Sequence, residues 1–338
     1  MNILVTGGAG YIGSHVTLSL LDKGYNVIVL DNFSNSSPKV MNRIKKISEK
    51  TLKVIQGDIL DSALLATTFK EHSIDAVFHF AGLKSVAEST NQPGRYYQTN
   101  VTGTLNLCQA MITARVFNLV FSSSATVYGE KHHMPLRECY ETGTATNPYG
   151  RSKYIAETIL KDLAAATPQL KIAVLRYFNP IGAHPSGLIG ENPSGIPNNL
   201  LPYIGKVATG QLPELCVHGS DYPTIDGTGV RDYIHVMDLA YGHVKALEAL
   251  SDRSGVSIWN LGTGKGYSVL EMIEAFEKSS GCTIPFKFGS RRDGDIPASW
   301  ADISKIQSEL QWEPRFSLDQ MMSDTWRWLT NNPWGYEQ

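Results

Sequence analysis

Tyr149 and Lys153 stand four residues apart in Asn147-Pro148-Tyr149-Gly150-Arg151-Ser152-Lys153, at the head of a helical stretch. That spacing sets both side chains on one face of the helix. A phenol is a poor base at neutral pH, because its ordinary pKa is about 10. An ammonium group beside it stabilises the phenolate and brings it within reach as a general base. A lone Tyr-x-x-x-Lys is common and mostly incidental. Its weight here comes from Phe121-Ser122-Ser123-Ser124, which closes an apolar run and reads as a strand end meeting the same site. The Ser124 hydroxyl can hold the substrate hydroxyl whose proton Tyr149 would take.

Elements must bring these groups together. Short apolar runs alternate with stretches of helical period, which is the pattern of a parallel sheet covered on both faces. The runs predict strands at Ile3–Val5, Val27–Leu30, Leu52–Ile55, Ala76–Phe80, Leu119–Ser122 and Ile172–Leu175, with helices near 12–22, 38–48, 61–71, 98–114 and 149–165. The expected fold class is α/β: a Rossmann-like, doubly wound sheet of six strands over residues 1–180. From Asn179 to Gly229 the chain turns rich in Gly, Pro, Asn and Asp, which favours loops. Residues 181–338 are therefore expected to form a smaller substrate domain, some of whose segments pack back onto the first.

The first strand runs into Gly7-Gly8-Ala9-Gly10-Tyr11-Ile12-Gly13 and a helix, giving a Gly-x-x-Gly-x-x-Gly turn at residues 7, 10 and 13. Glycine there permits a tight turn, close approach of a pyrophosphate, and close helix–sheet packing. The helix N-terminus offers its free N–H groups to the phosphates. The second strand ends at Asp31, whose carboxylate suits a ribose 2′-hydroxyl and repels a 2′-phosphate. Asn32-Phe33-Ser34-Asn35 brings no Arg or Lys to reverse that choice, so the expected cofactor is NAD rather than NADP. Gly57-Asp58-Ile59 follows the third strand and is placed to reach adenine. Phe80-Ala81-Gly82-Leu83-Lys84 follows the fourth and sets small residues and one cation beside the cofactor. An oxidised nicotinamide in this place would add to the stabilisation of a Tyr149 phenolate.

Composition excludes other classes. With 42% hydrophobic and 18% charged residues over 338 positions, the chain can bury a large core, which excludes global disorder. A formal charge of −2 argues against a protein that holds nucleic acid by phosphate neutralisation. Four scattered cysteines, with no Cys-x-x-Cys or His-Glu-x-x-His pattern, predict free thiols and no metal site. His132-His133 reads as a solvated loop, and His79 and His235 as satisfied core residues. No apolar run approaches the roughly 18 residues of a membrane span, and no leader pattern opens the chain. A cytoplasmic, unprocessed protein is expected.

Thr6-Gly7-Gly8-Ala9-Gly10-Tyr11-Ile12-Gly13, Ser122-Ser123-Ser124-Ala125-Thr126-Val127-Tyr128-Gly129 and Tyr149-Gly150-Arg151-Ser152-Lys153 together resemble the extended short-chain dehydrogenase/reductase family. The resemblance is closer to its UDP-hexose 4-epimerase branch. It extends through RYFNPIGAHPSG, IPNNLLPY, DGTGVRDYIHVMDLA and the RRDGD segment, and so covers essentially the whole chain. It implies Tyr149 as base for the sugar 4′-hydroxyl, Lys153 as its electrostatic partner and cofactor-ribose ligand, and Ser124 as hydroxyl positioner. Tyr11, Ile12, Asp31, Asn32, Phe33, Ser34, Asn35, Ser36, Asp58, Ile59, Phe80, Ala81, Gly82, Leu83, Lys84, Ser122 and Phe178 fall in segments that touch NAD in that branch. Where the branch carries paired asparagines this chain has Thr99-Asn100, and Thr99 lacks an amide's reach.

The implied reaction takes the C4′ hydride onto tightly bound NAD, leaves a 4-keto sugar that turns in its pocket, and returns the hydride to the opposite face. A UDP-sugar is the implied partner. Arg231 and Arg292 suit bidentate binding of its diphosphate. Asn179, Asn199, Leu200, Cys216, Val217, His218, Tyr233 and Asp295 lie in segments around the nucleotide, and Lys84 borders the sugar. A homodimer packed through the helices near 98–114 and 149–165 is implied as well.

Ser299 speaks to the substrate. Hexose-only members resemble Pro297-Ala298-Ser299-Trp300 but carry a bulky aromatic where Ser299 stands, whereas members that accept N-acetylated sugars have a small residue there. Ser299 leaves room for an acetamido group, so UDP-GlcNAc/UDP-GalNAc is expected as a substrate pair beside UDP-glucose/UDP-galactose. The alternative is an epimerase restricted to the plain hexoses. A 4,6-dehydratase would need acid/base groups where Ala125 and Thr126 stand, and a non-catalytic NAD-binding protein tends to lose the Tyr or Lys kept here.

Overall fold

The computed structural model describes residues 1–337 apart from Lys131, Ser194, Ile196 and Asp293. Parts of the GIPNN and RRDGD segments thus lie outside the described residues. The elements run β1 (Asn2–Thr6), α1 (Tyr11–Asp22), β2 (Asn26–Asp31), α2 (Lys39–Ser48), β3 (Lys53–Gln56), α3 (Ser62–Glu71) and β4 (Ala76–His79). Two short helices, α4 (Val86–Asn91) and α5 (Pro93–Tyr97), lead through a π-helical turn at Gln98–Thr102 into α6 (Gly103–Thr113). Then come β5 (Asn118–Ser124), α7 (Pro148–Ala166), β6 (Lys171–Tyr177), β7 (Asn179–Ile181), α8 (Leu200–Ala208) and β8 (Leu215–His218). β9 (Val230–His235), α9 (Val236–Ala249), β10 (Gly255–Leu261), β11 (Gly266–Ser268) and α10 (Val269–Ser280) follow. The chain closes with β12 (Phe286–Gly289), β13 (Ala298–Ser299), α11 (Ser304–Leu310) and α12 (Leu318–Asn331).

The main sheet has seven strands in the order β10-β6-β5-β4-β1-β2-β3, all parallel. The six expected strands are all present, and β10 joins β6 as a seventh from beyond the expected boundary. β1 explains why these strands read as unbroken apolar runs. Ile3 and Val5 pack with Val16, Leu239 and Val244 on one face, while Leu4 packs with Leu65, Leu107 and Leu160 on the other. A strand buried on both faces needs no polar alternation. Because α9 packs against α1, residues 236–261 are structurally part of the first unit.

The rest of the chain forms a second apolar cluster around Ile204, Tyr233, Met272, Phe276 and Met322. Its strands are short: β9 pairs with β7 and β13 in parallel and with β11 antiparallel, while β8 pairs with β12. Among the described residues no helix is long and apolar enough to cross a membrane, and no group of three or more His, Cys, Asp or Glu could hold a metal. The four cysteines are free. His79 and His235 are buried with partners, His79 on Thr6 and Thr104, His235 on Met237 N–H and Asp324. His132, expected as a solvated loop residue, is instead half-buried: its Nε2 meets the Glu141 carbonyl and its ring stacks on Tyr140 at 5.0 Å.

Candidate active site

The carboxyl ends of β1, β2, β4, β5 and β6 converge on one cleft, the place where ligands bind in open α/β sheets. Its floor is the turn from β1 to α1. Gly7 has φ +70°, and a Cβ there would stand 2.5 Å from the Ala81 nitrogen, so no other residue fits. A Cβ at Gly13 would stand 2.2 Å from the Gly7 carbonyl oxygen, which is the close helix–sheet approach the spacing predicts. Gly10 differs, since a Cβ there would meet only the Gly7 oxygen at 3.3 Å and otherwise face open space. Helix α1 begins at Gly10 with no side-chain cap and no acidic residue in its first turn. Its first N–H groups are therefore free for an anion. Tyr11 and Ile12 are half-buried beside them, and the Tyr11 hydroxyl donates to the Gly182 carbonyl at 2.7 Å.

Asp31 ties this turn to the next. Its Oδ2 accepts from Ala9 N–H at 2.9 Å, and its Oδ1 accepts from Phe33 N–H at 2.8 Å and from the Ser36 hydroxyl at 3.0 Å. A carboxylate offers about four lone pairs, so Oδ2 keeps one for a ribose hydroxyl. Asp58 accepts from Asn32 Nδ2 at 2.7 Å and from Leu60 N–H at 2.9 Å, while Ile59 is buried against Gly103. Ser34 and Asn35 stand exposed at the rim. These residues fit a dinucleotide: a bare helix end for the pyrophosphate, a carboxylate for the ribose, and no cation for a 2′-phosphate.

The loop after β4 is anchored by a residue the sequence reading passed over. Asn100, buried in the π-helical turn, accepts from Leu83 N–H at 2.8 Å and donates to the Leu83 carbonyl at 3.0 Å and to Ser152 Oγ at 2.9 Å. It thereby joins Gly82-Leu83 to α7. A π turn at a functional site is a recurrent device. Thr99 is only half-buried, and the amide contacts are made by its neighbour. The paired-asparagine pattern was the signal that could have found Asn100.

Tyr149 and Lys153 stand one turn apart on α7, whose start is capped by Asn147 accepting from Gly150 N–H at 2.9 Å. Lys153 is 6% exposed; its Nζ donates to the Ser122 carbonyl at 2.8 Å and lies 5.1 Å from the Phe121 ring centre. Burial lowers its pKa to about 8, and the Glu157 carboxylate one turn on resists that fall. Burial likewise raises the Tyr149 phenol, against a hydrogen bond from Ser124 and the charge of Lys84. Lys84, from the loop after β4, is thus a second cation beside the phenol, in addition to Lys153 one turn along α7. Ser124 is buried at the strand end, where its Oγ accepts from Thr126 N–H at 3.2 Å. Phe178 packs in a buried cluster with Val127, Tyr128 and Leu136.

The other wall carries the cations. Arg231 and Arg292 both meet Asp295, each at 3.2 Å, so one carboxylate aligns two guanidinium groups. Ser299 on β13 pairs with Arg231 on β9 and is buried. Asn179 and Asn199 are exposed, Leu200, Cys216 and His218 half-buried. Val217 and Tyr233 pack in the second core, and the Tyr233 phenol feels the charges of Arg231, Arg292 and Asp295.

A family model described as GDP-mannose 4,6 dehydratase matches residues 4–325. The UDP-glucose 4-epimerase of Pasteurella multocida is 58% identical over 336 residues, covering 99% of both chains. Among solved structures, the UDP-glucose 4-epimerase of Stenotrophomonas maltophila, with bound NAD and formylated UDP-arabinopyranose, superposes at a TM-score of 0.96. It is 52% identical and covers 98% of this chain and 99% of its own. That of Bifidobacterium longum, in complex with NAD+ and UDP, superposes at 0.96 with 51% identity and the same coverage.

Proposed function

The chain belongs to the UDP-glucose 4-epimerase family of extended short-chain dehydrogenase/reductases, and from that membership we propose a reaction in which Tyr149, Lys153 and Ser124 invert C4′ of a UDP-sugar. The protein is an NAD-dependent epimerase. NAD, when bound, accepts the C4′ hydride and returns it. Tyr149 takes the 4′-hydroxyl proton and gives it back, Ser124 aligns that hydroxyl, and Lys153 holds the cofactor ribose from its place on Ser122. The glycine turn, Asp31 and Asp58 bind the dinucleotide, with Lys84 and Gly82 bordering both ligands. Arg231 and Arg292 take the diphosphate while the sugar, held less firmly, turns. In this reading residues 1–180 bind the cofactor and 181–338 the nucleotide sugar, with 236–261 built into the first unit. The homodimer packs through α6 and α7, where Leu105 is exposed, in the cytoplasm.

The observation that carries the substrate reading is Ser299. It is buried and in register with Arg231, and a side chain this small supports the reading that an acetamido group can pass as the sugar turns. The enzyme therefore acts on UDP-GlcNAc and UDP-GalNAc as well as on the plain hexoses. The test is turnover of both substrate pairs by the purified protein. Comparable rates support the wider substrate range, and negligible conversion of UDP-GlcNAc restricts the enzyme to UDP-glucose and UDP-galactose.

A further inference from the structure

Three consecutive serines close β5, and each has its own partner. The Ser122 carbonyl accepts from Lys153, the Ser123 hydroxyl donates to Glu157 Oε1 at 2.5 Å, and Ser124 stands at the cleft. Glu157 lies one helical turn beyond Lys153 on α7, on the same face, and is fully buried. Arg176 on β6, the register partner of Ser123, holds both of its oxygens, through Nε at 3.0 Å and Nη2 at 2.7 Å. Arg176 is itself fixed beneath the Tyr128 ring at 4.7 Å. A buried ion pair is a poor source of stability, since apolar residues of similar volume pack there as well or better. Its position, one turn below the reacting groups, points to another use.

We propose that Glu157, gripped by Arg176 and Ser123, is a positioning residue for epimerisation: it fixes the register of α7 against β5 and sets a negative charge beside Lys153. The inference rests on the roles given to Tyr149 and Lys153 above. A slip of one residue would turn α7 by about 100° and break all three contacts, so the bidentate grip admits one register only. The charge matters because Lys153 has no carboxylate of its own to contact. It meets a carbonyl and an aromatic ring, with His79 the nearest titratable group from β4 and Tyr149 one turn back. Glu157 opposes the loss of its proton, while Arg176, from β6, pairs with the same carboxylate.

The variant Glu157→Gln keeps the shape and removes the charge. We expect kcat for UDP-galactose to fall about tenfold at pH 8 with KM changed less than about twofold. The alkaline limb of the kcat profile should move toward lower pH by about one unit. Loss of folding alone would lower activity at every pH and leave the limb in place. Since Glu157→Gln leaves Arg176 buried without its counter-charge, the double variant Glu157→Gln/Arg176→Met is measured beside it. It should recover thermal stability and still show the displaced limb, whereas Glu157→Asp should keep the limb near its original pH. A limb unmoved in both the single and the double variant overturns the inference. Tyr149→Phe serves as the control: epimerisation surviving in it would instead remove the catalytic assignment on which the inference rests.

Discussion

The Lys84 ammonium meets the Glu191 carboxylate at 2.8 Å, across the cleft between the loop after β4 and the segment leading to α8. Glu191 is the more buried of the two and is tied to α12, where its carbonyl accepts from Trp328 Nε1 at 3.0 Å. Lys84 is also the cation that opposes the rise of the Tyr149 phenol. A carboxylate this close offsets part of that charge. Replacing Glu191 by Gln should therefore ease ionisation of the phenol and carry the acid limb of the kcat profile to lower pH. Stability should change by less than about 1 kcal/mol, because half-exposed pairs contribute little. A pH profile and a thermal melt of the variant check both halves.

Asp31 holds three donors of the protein itself and, in the proposed reading, the cofactor ribose. Replacing it by Ala strips three donors, Ala9 N–H, Phe33 N–H and the Ser36 hydroxyl, of their acceptor. The expected cost is about 2–4 kcal/mol, and the ribose loses its carboxylate. The purified variant should carry less NAD after gel filtration and should no longer reject NADP on reconstitution. Unchanged NAD content would contradict the assignment.

Ser299→Tyr places a ring where the acetamido group is expected to pass. Turnover of UDP-GlcNAc should fall by about a hundredfold or more, since the ring excludes the group outright, while UDP-galactose turnover changes by only a few-fold. Equal losses on both substrates would point to a distorted β13–β9 pairing instead.

Acid should destabilise the fold through buried histidines. Burial lowers His15 and His79 to about 3 and His243 to about 4, all below the ordinary value of 6.5. Below pH 6.5 the unfolded chain takes up protons that the folded chain refuses, so stability falls as pH drops from there toward 4 and is unaffected above it. Each histidine contributes a slope of about 1.4 kcal/mol per pH unit within that window. Melting temperature should be flat from about pH 7 to 8 and decline steeply below about 6. His243→Gln, whose side chain can still meet Tyr177 and the Leu239 carbonyl, should shallow the decline.

The cofactor half of the fold was legible because its inner strands are buried on both faces and helices alternate with most of them. β10 escaped because Val256-Ser257-Ile258-Trp259 lies far down the chain, and sequence order does not show that it returns to pair with β6. β7, β11 and β13 are two or three residues long, too short for any period to register. The helix expected over 98–114 begins instead at Pro93 and contains a π turn, which no spacing of apolar residues betrays. Glycine and carboxylate positions were legible because their constraint is local. Asn100, Glu157 and Arg176 act across elements, and Arg176 directly follows a run that reads as plain strand.

Tyr149 working with retained NAD is the centre of the proposed reaction. The decisive measurement is conversion of UDP-galactose to UDP-glucose by the purified protein with no cofactor added, set beside Tyr149→Phe. The native protein should epimerise the sugar without supplement, and the variant, still holding NAD, should lose activity by about a hundredfold or more. Activity in Tyr149→Phe equal to the native enzyme's, or none in the native enzyme until NAD is supplied, would contradict it.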